Sequence, residues 1–444
     1  MSREARADII LIMHDVRGKR VTVAGLGRFG GGINAAKWLA SMGANVLVTD
    51  QAPAEKLGES LKQLEGLPIT FRLGEHRVED FTSADLVVPS PAIAPTSEYL
   101  AMAEKAGVPI VLEIQLFIER CPARIAGVTG TKGKSTTTKL LGLMLETGHR
   151  TWVGGNLGGS LLFQLPEMRS DDVVVLELSS FMLHWLGRAR WSPHVGVMTM
   201  ISADHLDWHG SVDAYVMAKR NLVLHQSSRD YAVLNEENDA CRSIAREVKS
   251  QVIWFGTRDR RTFELALPGS HNQLNAQAAF AAASVLGVSW EDAQRAVRDF
   301  KGLPHRLQIV HEANGVRWVN DSIATIPDAA VAAMRAFPAS SVIQIVGGYD
   351  KGLEMRPMCE ALARQCKAVL TIGQVGSALA ASMRSMTDAR AELRECGRLE
   401  QAVSAARELA QAGDVVLLSP GCASYGQFTN FEQRGERFAE LARG

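Results

Sequence analysis

The stretch that most constrains this chain is the apolar run 125–129, which passes into Gly130-Thr131-Lys132-Gly133-Lys134-Ser135-Thr136 and then into a helical pattern. A strand, a glycine-rich loop and a helix in that order form a phosphate cradle. The loop's backbone N–H groups wrap phosphate oxygens, Lys134 reaches the terminal phosphates, and Ser135 or Thr136 sits near Mg²⁺. The strict pattern would have glycine at 128. This chain has Val128, with Gly127 and Gly130 on either side, so it is a variant P-loop expected to hold a nucleoside triphosphate. The apolar run 172–178 carries Glu177 near its end, followed by Ser179-Ser180-Phe181. A carboxylate in that place suits a Mg²⁺ ligand or a water-orienting group.

Apolar, β-branched runs recur at 20–27, 45–50, 85–90, 173–178, 195–201, 231–234, 341–346, 368–372 and 414–418. Amphipathic segments such as 139–146, 277–286 and 291–300 separate them. Runs without polar alternation suit strands buried on both faces, and their spacing by helices implies βαβ units with mainly parallel sheets. The chain's 444 residues exceed one core, and roughly three domains are expected at this length. Breaks at Cys121-Pro122, after a linking helix, and at Gly302-Leu303-Pro304 divide it into blocks 1–112, 113–303 and 304–444. The fold class is therefore α/β: a Rossmann-like block, a central P-loop mononucleotide-binding block and a second Rossmann-like α/β block.

The first block carries a second glycine turn, Gly25-Leu26-Gly27-Arg28-Phe29-Gly30, after the strand pattern, and Asp50 closes the next strand. Glycines allow a tight turn and close approach to a phosphate, and an acid after the second strand can accept hydrogen bonds from a ribose. This motif leaves a nicotinamide dinucleotide and a UDP-sugar equally open.

Polar clusters follow other strands. Ser202-Ala203-Asp204-His205-Leu206-Asp207-Trp208-His209 comes after the run 195–201, ahead of a helix with Tyr215, Lys219 and Arg220. His205 could ligate a metal, although a lone histidine is more often structural. Lys219 taken alone reads as a solvated helix lysine. Asn272 and Asn275 open a helix, where they could cap it or bond a base. Pro304-His305-Arg306, Asn320-Asp321-Ser322, Gly347–Lys351 and Ser419–Ser424 give the third block polar loops suited to a ligand crevice.

Charge narrows the function classes. Forty-eight Lys and Arg against 48 Asp and Glu leave a formal net charge of zero, which argues against a general nucleic-acid or anionic-membrane binder. The six cysteines form no CxxC pair, so reduced thiols are expected. The N-terminus lacks a signal-peptide pattern and no run approaches a membrane span, so a cytoplasmic, soluble monomer is expected.

Together the segments GVTGTKGKST, GGNLGGS, LELSSF, ADHLDWH, AKRN, SHNQLNAQAA, GLPHR, WVNDSIAT, GGYDKG and SPGCASYGQFTNFEQRGERF resemble the Mur ligases of peptidoglycan synthesis. They span nearly the whole chain, and the last pattern is closest to the members that add glutamate. The resemblance implies UDP binding by the first block, ATP by the second, and glutamate and ATP by the third. It places Gly27, Arg28, Phe29, Asp50, Gln51, Ser90 and Ala92 near the uridine nucleotide and Asn156 against the muramoyl group. It places ATP on Gly130 to Thr136 (Gly130, Thr131, Lys132, Gly133, Lys134, Ser135, Thr136) and on Asn272, Asn275, Arg306 and Asp321. Ser135, Glu177, His205 and a carbamylated Lys219 would ligate two Mg²⁺ ions. Thr325, Lys351, Ser424 and Phe431 match the glutamate pocket. The implied substrates are ATP, UDP-N-acetylmuramoyl-L-alanine and glutamate, joined through an acyl phosphate in a site closed against water.

The chain departs from the family in the run Asn320-Asp321-Ser322-Ile323-Ala324-Thr325-Ile326, where NDSKATN is usual. Ile323 replaces a lysine and Ile326 an asparagine. Gly426 stands where aspartate is frequent, and Tyr349-Asp350 where Asp-Gly is usual. D-glutamate is the expected acceptor, with L-glutamate as the alternative. A nicotinamide-dependent oxidoreductase is a further alternative, and it leaves the P-loop unexplained.

Overall fold

Residues 14–26, 31–202, 204–259, 261–267, 269–350 and 353–444 are described by the computed structural model. Gly27, Arg28, Phe29, Gly30, Ala203, Lys351 and residues 1–13 lie outside the described residues.

The apolar runs become strands and the amphipathic segments become helices, sorted into three sheets. The first contains β1 (Arg20–Ala24), β2 (Asn45–Asp50), β3 (Ile69–Leu73) and β4 (Leu86–Pro89) in the order β3-β2-β1-β4. The second contains β5 (Arg124–Thr129), β6 (Thr151–Gly155), β7 (Val173–Glu177), β8 (Val195–Met198), β9 (Tyr231–Asn235) and β10 (Gln251–Phe255). Its order is β10-β9-β8-β5-β7-β6, all parallel. The third contains β11 (Gln308–Ala313), β12 (Val316–Asn320), β13 (Val342–Gly347), β14 (Ala368–Ile372), β15 (Glu392–Gly397) and β16 (Val415–Leu418). Its order is β11-β12-β16-β13-β14-β15, parallel except for the β11–β12 hairpin.

The chain forms two compact units, residues 1–300 and 301–444. In the first, one core runs from Val16 to Ile244 and joins the first sheet to one face of the second. The linking helix Glu113–Arg120 belongs to that core through Ile114, Leu116, Phe117 and Ile118. A second core, from Ala126 to Val297, fills the opposite face under the helices Lys134–Leu145 and Ser270–Val285. In the second unit alternate residues of β13 serve opposite faces. Val342 and Val346 enter one core, Ile343 and Ile345 the other, as the two-residue period of a strand requires. Gln344 lies buried between them, its amide donating to the carbonyls of Ala330 and Ser419.

Six strands go beyond the apolar runs of the sequence: β3, β6, β10, β11, β12 and β15. All but β12 lie at a sheet edge and are partly exposed, so no continuous apolar run marks them, while the interior β12 is interrupted by Arg317. Several boundaries also shift. The run 195–201 ends as a strand at Met198, because residues 199–202 bond to the P-loop instead. The helix expected over 291–300 spans Trp290–Val297, capped by Ser289, whose hydroxyl accepts from the Asp292 N–H. Among the described residues no helix is long and apolar enough to cross a membrane.

Candidate functional site

β5 lies inside the second sheet between β8 and β7, so three carboxyl ends lie side by side: Thr129, Met198 and Glu177. A crevice at the carboxyl ends of neighbouring parallel strands is where open α/β sheets bind ligands. The P-loop leaves β5 there. Gly130 adopts φ 156°, and a Cβ at this position would collide with Thr199 Oγ1. Gly133 adopts φ 86° as the N-cap of the helix Lys134–Leu145, and a Cβ there would meet Asn275 Oδ1. The helix N-terminus thus sits at these strand ends, where its dipole favours an anion.

The loop is pinned from several sides. The Thr199 hydroxyl donates to the Lys132 carbonyl at 2.6 Å. Thr131 Oγ1 bonds Tyr215 Oη at 2.9 Å and accepts from the Ser202 N–H at 2.9 Å. The Lys134 ammonium donates to the Thr131 carbonyl at 3.0 Å. Ser135 is buried in the first turn of the helix, beside the half-buried Thr136. Asn275 is buried against the loop, accepting from Thr137 Oγ1 at 3.4 Å and donating to Asn272 Oδ1 at 3.2 Å. Asn275 therefore stands at the P-loop helix, with Asn272 bonded to it.

Glu177 is 1% exposed at the end of β7. Its Oε1 accepts from the Asn156 side chain at 2.8 Å, while Oε2 is buried with no hydrogen-bond partner among the described residues. A buried carboxylate oxygen left unpaired is costly unless a cation meets it, and it is a donor suited to Mg²⁺. Lys219 is also 1% exposed, so reading it as a solvated helix lysine is overturned. The helix Val212–Leu224 points its side chain inward, where Nζ donates to the Gly130 carbonyl at 2.8 Å and Thr129 Oγ1 at 3.3 Å. Burial lowers its pKa to about 7, and Lys134 acts in the same direction, while Asp204 and Glu177 oppose the shift. Burial also pushes the Tyr215 phenol up to about 12. His205 sits on the rim with φ 50°, half exposed, against Phe181 at 4.9 Å between ring centroids. Among the described residues no three His, Cys, Asp or Glu side chains form a metal cluster by themselves.

The first sheet repeats the arrangement. β1 lies between β2 and β4, so Asp50, Gln51, Ser90 and Ala92 follow the carboxyl ends of neighbouring strands. Asp50 Oδ2 accepts from the Leu26 N–H at 3.0 Å, and Oδ1 from the Ala52 N–H at 2.8 Å. Its carboxylate thereby holds Leu26, the last described residue before the rest of the glycine turn. Ser90 is buried, whereas Gln51 and Ala92 are exposed.

In the second unit β12, β16 and β13 are neighbours, and the loops after them carry Asp321, Ser419–Ser424 and Gly348–Asp350. Asp321 accepts from the Leu307 N–H at 3.1 Å and from Ser419 Oγ at 2.7 Å. Burial raises its carboxyl to about 6, against those two bonds and Arg306. Ser424 is buried, Thr325 and Phe431 are half-buried, and Lys351 is outside the described residues. Ile326, where the family has asparagine, is 49% exposed. Arg434 received no role from the sequence. It is 1% exposed and donates to Ser322 Oγ at 2.9 Å, the Ser322 carbonyl at 2.9 Å and the Cys422 carbonyl at 3.1 Å. Ser322 Oγ in turn donates to the Phe431 carbonyl at 2.8 Å. This clamp ties the start of the helix Phe431–Arg443 to the two loops that carry Thr325 and Ser424. Its signal was the spacing Phe431, Arg434, Phe438, which puts the arginine on the buried face of a helix.

Three family models match the chain in succession: the MurD-like N-terminal domain of Mur ligases over residues 19–112, the Mur ligase middle domain over 128–283, and the Mur ligase glutamate ligase domain over 305–422. A UDP-N-acetylmuramoylalanine–D-glutamate ligase of Roseiflexus sp. is 42% identical over 96% of this chain and 98% of its own. The enzyme of the same name from Acetivibrio thermocellus is 35% identical over 96% of each chain. Among solved structures, the UDP-N-acetylmuramate–alanine ligase MurC of Thermotoga maritima is similar in fold, with a TM-score of 0.57 at 20% identity over 96% of this chain and 99% of that one. MurF of Acinetobacter baumannii gives 0.56 at 18% identity over 97% and 92%.

Proposed function

This chain belongs to the Mur ligase family, and from that premise we propose that it joins D-glutamate to UDP-N-acetylmuramoyl-L-alanine with ATP, in peptidoglycan precursor synthesis. The relatives' names specify D-glutamate, which favours it over the L-enantiomer despite Ile323 and Ile326. The oxidoreductase alternative is not favoured, since the glycine turn of the first block falls within a Mur ligase N-terminal domain.

The observation that carries the mechanism is the mouth of the P-loop, where the unpaired oxygen of Glu177 and the buried amine of Lys219 lie at adjoining strand ends. A carboxylate is a poor acyl donor because oxide is a poor leaving group. The γ-phosphoryl group of ATP passes to the alanyl carboxylate, ADP departs, and an acyl phosphate results. The amine of glutamate attacks its carbonyl carbon, the tetrahedral adduct collapses, phosphate leaves with the C–O electron pair, and an amide remains. Two anions must meet in the first step. Lys134, the P-loop N–H groups and the helix N-terminus offset that charge. Ser135, Glu177, His205 and Lys219 would hold Mg²⁺, taken as two ions, and bound Mg²⁺ would neutralise phosphate oxygens. An amine with a pKa near 7 is neutral often enough to take up CO₂, and the carbamate would turn Lys219 from a cation into an anionic ligand.

The remaining roles follow the resemblance. Gly27, Arg28, Phe29, Asp50, Gln51, Ser90 and Ala92 take the UDP end, and Asn156 the muramoyl end. Arg306 and Asp321 join the P-loop, Asn272 and Asn275 in binding ATP. Thr325, Lys351, Ser424 and Phe431 take glutamate, with Arg434 holding their loops in place. The functional blocks are 1–112, 113–303 and 304–444, in a cytoplasmic monomer.

The test is phosphate release by the purified protein. It should require ATP, UDP-N-acetylmuramoyl-L-alanine and D-glutamate together, with L-glutamate far weaker. Lys134→Ala should lower the rate at least about a hundredfold while circular dichroism stays unchanged. Near-normal turnover by that variant, or equal use of both enantiomers, would contradict the assignment.

A further inference from the structure

We propose that His209 is a positioning residue for the metal site, a strut that holds the turn carrying His205 against the strand end carrying Glu177. The proposal rests on the reading of Glu177 and His205 as metal ligands and adds a residue to which the sequence assigned no role.

His205 is a non-glycine residue at φ 50°, in the left-handed region, and such a conformation persists only where its surroundings over-determine it. His209 supplies much of that constraint. Its backbone N–H donates to the His205 carbonyl at 3.0 Å, closing the short turn Leu206–His209. Its Nε2 shares a hydrogen bond of 2.9 Å with Ser180 Oγ. Ser180 is 2% exposed and begins the helix Ser180–Arg188, three residues after Glu177. The imidazole also stacks on Phe181, with centroids 5.7 Å apart and planes 18° apart, and meets Tyr215 edge-on at 5.3 Å. Phe181 packs in turn on the His205 ring, and the Tyr215 hydroxyl bonds the P-loop residue Thr131. One side chain thus touches the segment after Glu177, the turn of His205 and a residue anchored to the P-loop. Metal sites depend on such supporting contacts, whose loss typically weakens binding by about 10–100-fold.

Mn²⁺ binding to the full chain with a non-hydrolysable ATP analogue, followed by electron paramagnetic resonance, tests this without relying on turnover. His205→Ala and His209→Ala should each weaken Mn²⁺ by about tenfold or more. Ser180→Ala should behave like His209→Ala, and the double variant should be little worse than either. His209→Gln, whose amide can still bond Ser180, should recover most of the affinity and keeps the test usable if the alanine variant folds poorly. Wild-type affinity in both His209→Ala and Ser180→Ala, with His205→Ala impaired, would overturn the strut and leave the ligand reading standing. Wild-type affinity in His205→Ala would overturn the ligand reading, and the strut with it.

Discussion

A lysine that looks solvated by its helix neighbours is buried here, and that single displacement changes its chemistry. The Lys219 amine has a folded pKa of about 7 against an ordinary 10.5, with desolvation as the main cause. The unfolded chain therefore binds this proton more tightly than the folded one. The contribution of Lys219 to stability is fully present above pH 10.5 and is lost as pH falls through that value to about 7. In carbonate-free buffer Lys219→Met should melt higher than the parent at pH 7, with the difference closing as pH approaches 10.5. A variant that melts lower at pH 7 would show the amine to be well solvated. Activity should move the other way: Lys219→Ala should lose most turnover and regain part of it with added short carboxylic acids, which would stand in for the proposed carbamate. Asp321 makes the same point, since burial raises its carboxyl to about 6 and nothing in its immediate sequence signals it.

At the scale of elements, local signals marked strands in proportion to their burial. Interior strands such as β5, β7, β8 and β13 are nearly pure apolar runs because both faces are covered. Of the six without such a run, five lie at edges, where one side faces water and polar residues such as Arg72, Gln251 and Glu395 are tolerated, and the sixth, β12, is interior but interrupted by Arg317. The P-loop was legible because phosphate binding needs contiguous backbone, so its whole signature lies in seven consecutive residues. Its tolerance is narrow for the same reason. Gly130→Ala would place a methyl group against Thr199 Oγ1 and strain the loop by roughly 1–3 kcal/mol. The variant should keep its melting temperature within a few degrees yet bind an ATP analogue at least about tenfold more weakly in calorimetry, since the displaced N–H groups are the ones proposed to hold phosphate. Unchanged affinity would show that the loop can rearrange freely.

At the scale of the molecule, every residue of the first two cores lies at or before Val297, and every residue of the last two at or after Val316. The second unit therefore owns its hydrophobic interior. Residues 301–444 expressed alone should melt cooperatively, with a sharp urea transition. A broad, non-cooperative transition would show that their stability depends on the first unit. The sequence by itself determined the α/β class, the P-loop and the ligase family, because each is written in contiguous residues or in their order along the chain. Only the tertiary structure decided which strands became neighbours. That choice set Thr129, Glu177 and Met198 side by side, brought Lys219 under a carbonyl 89 residues away, and buried Arg434 against two distant loops. The physical reason is desolvation: the charge state of a lysine or a carboxylate depends on what excludes water from it, and that is supplied by chain distant in sequence.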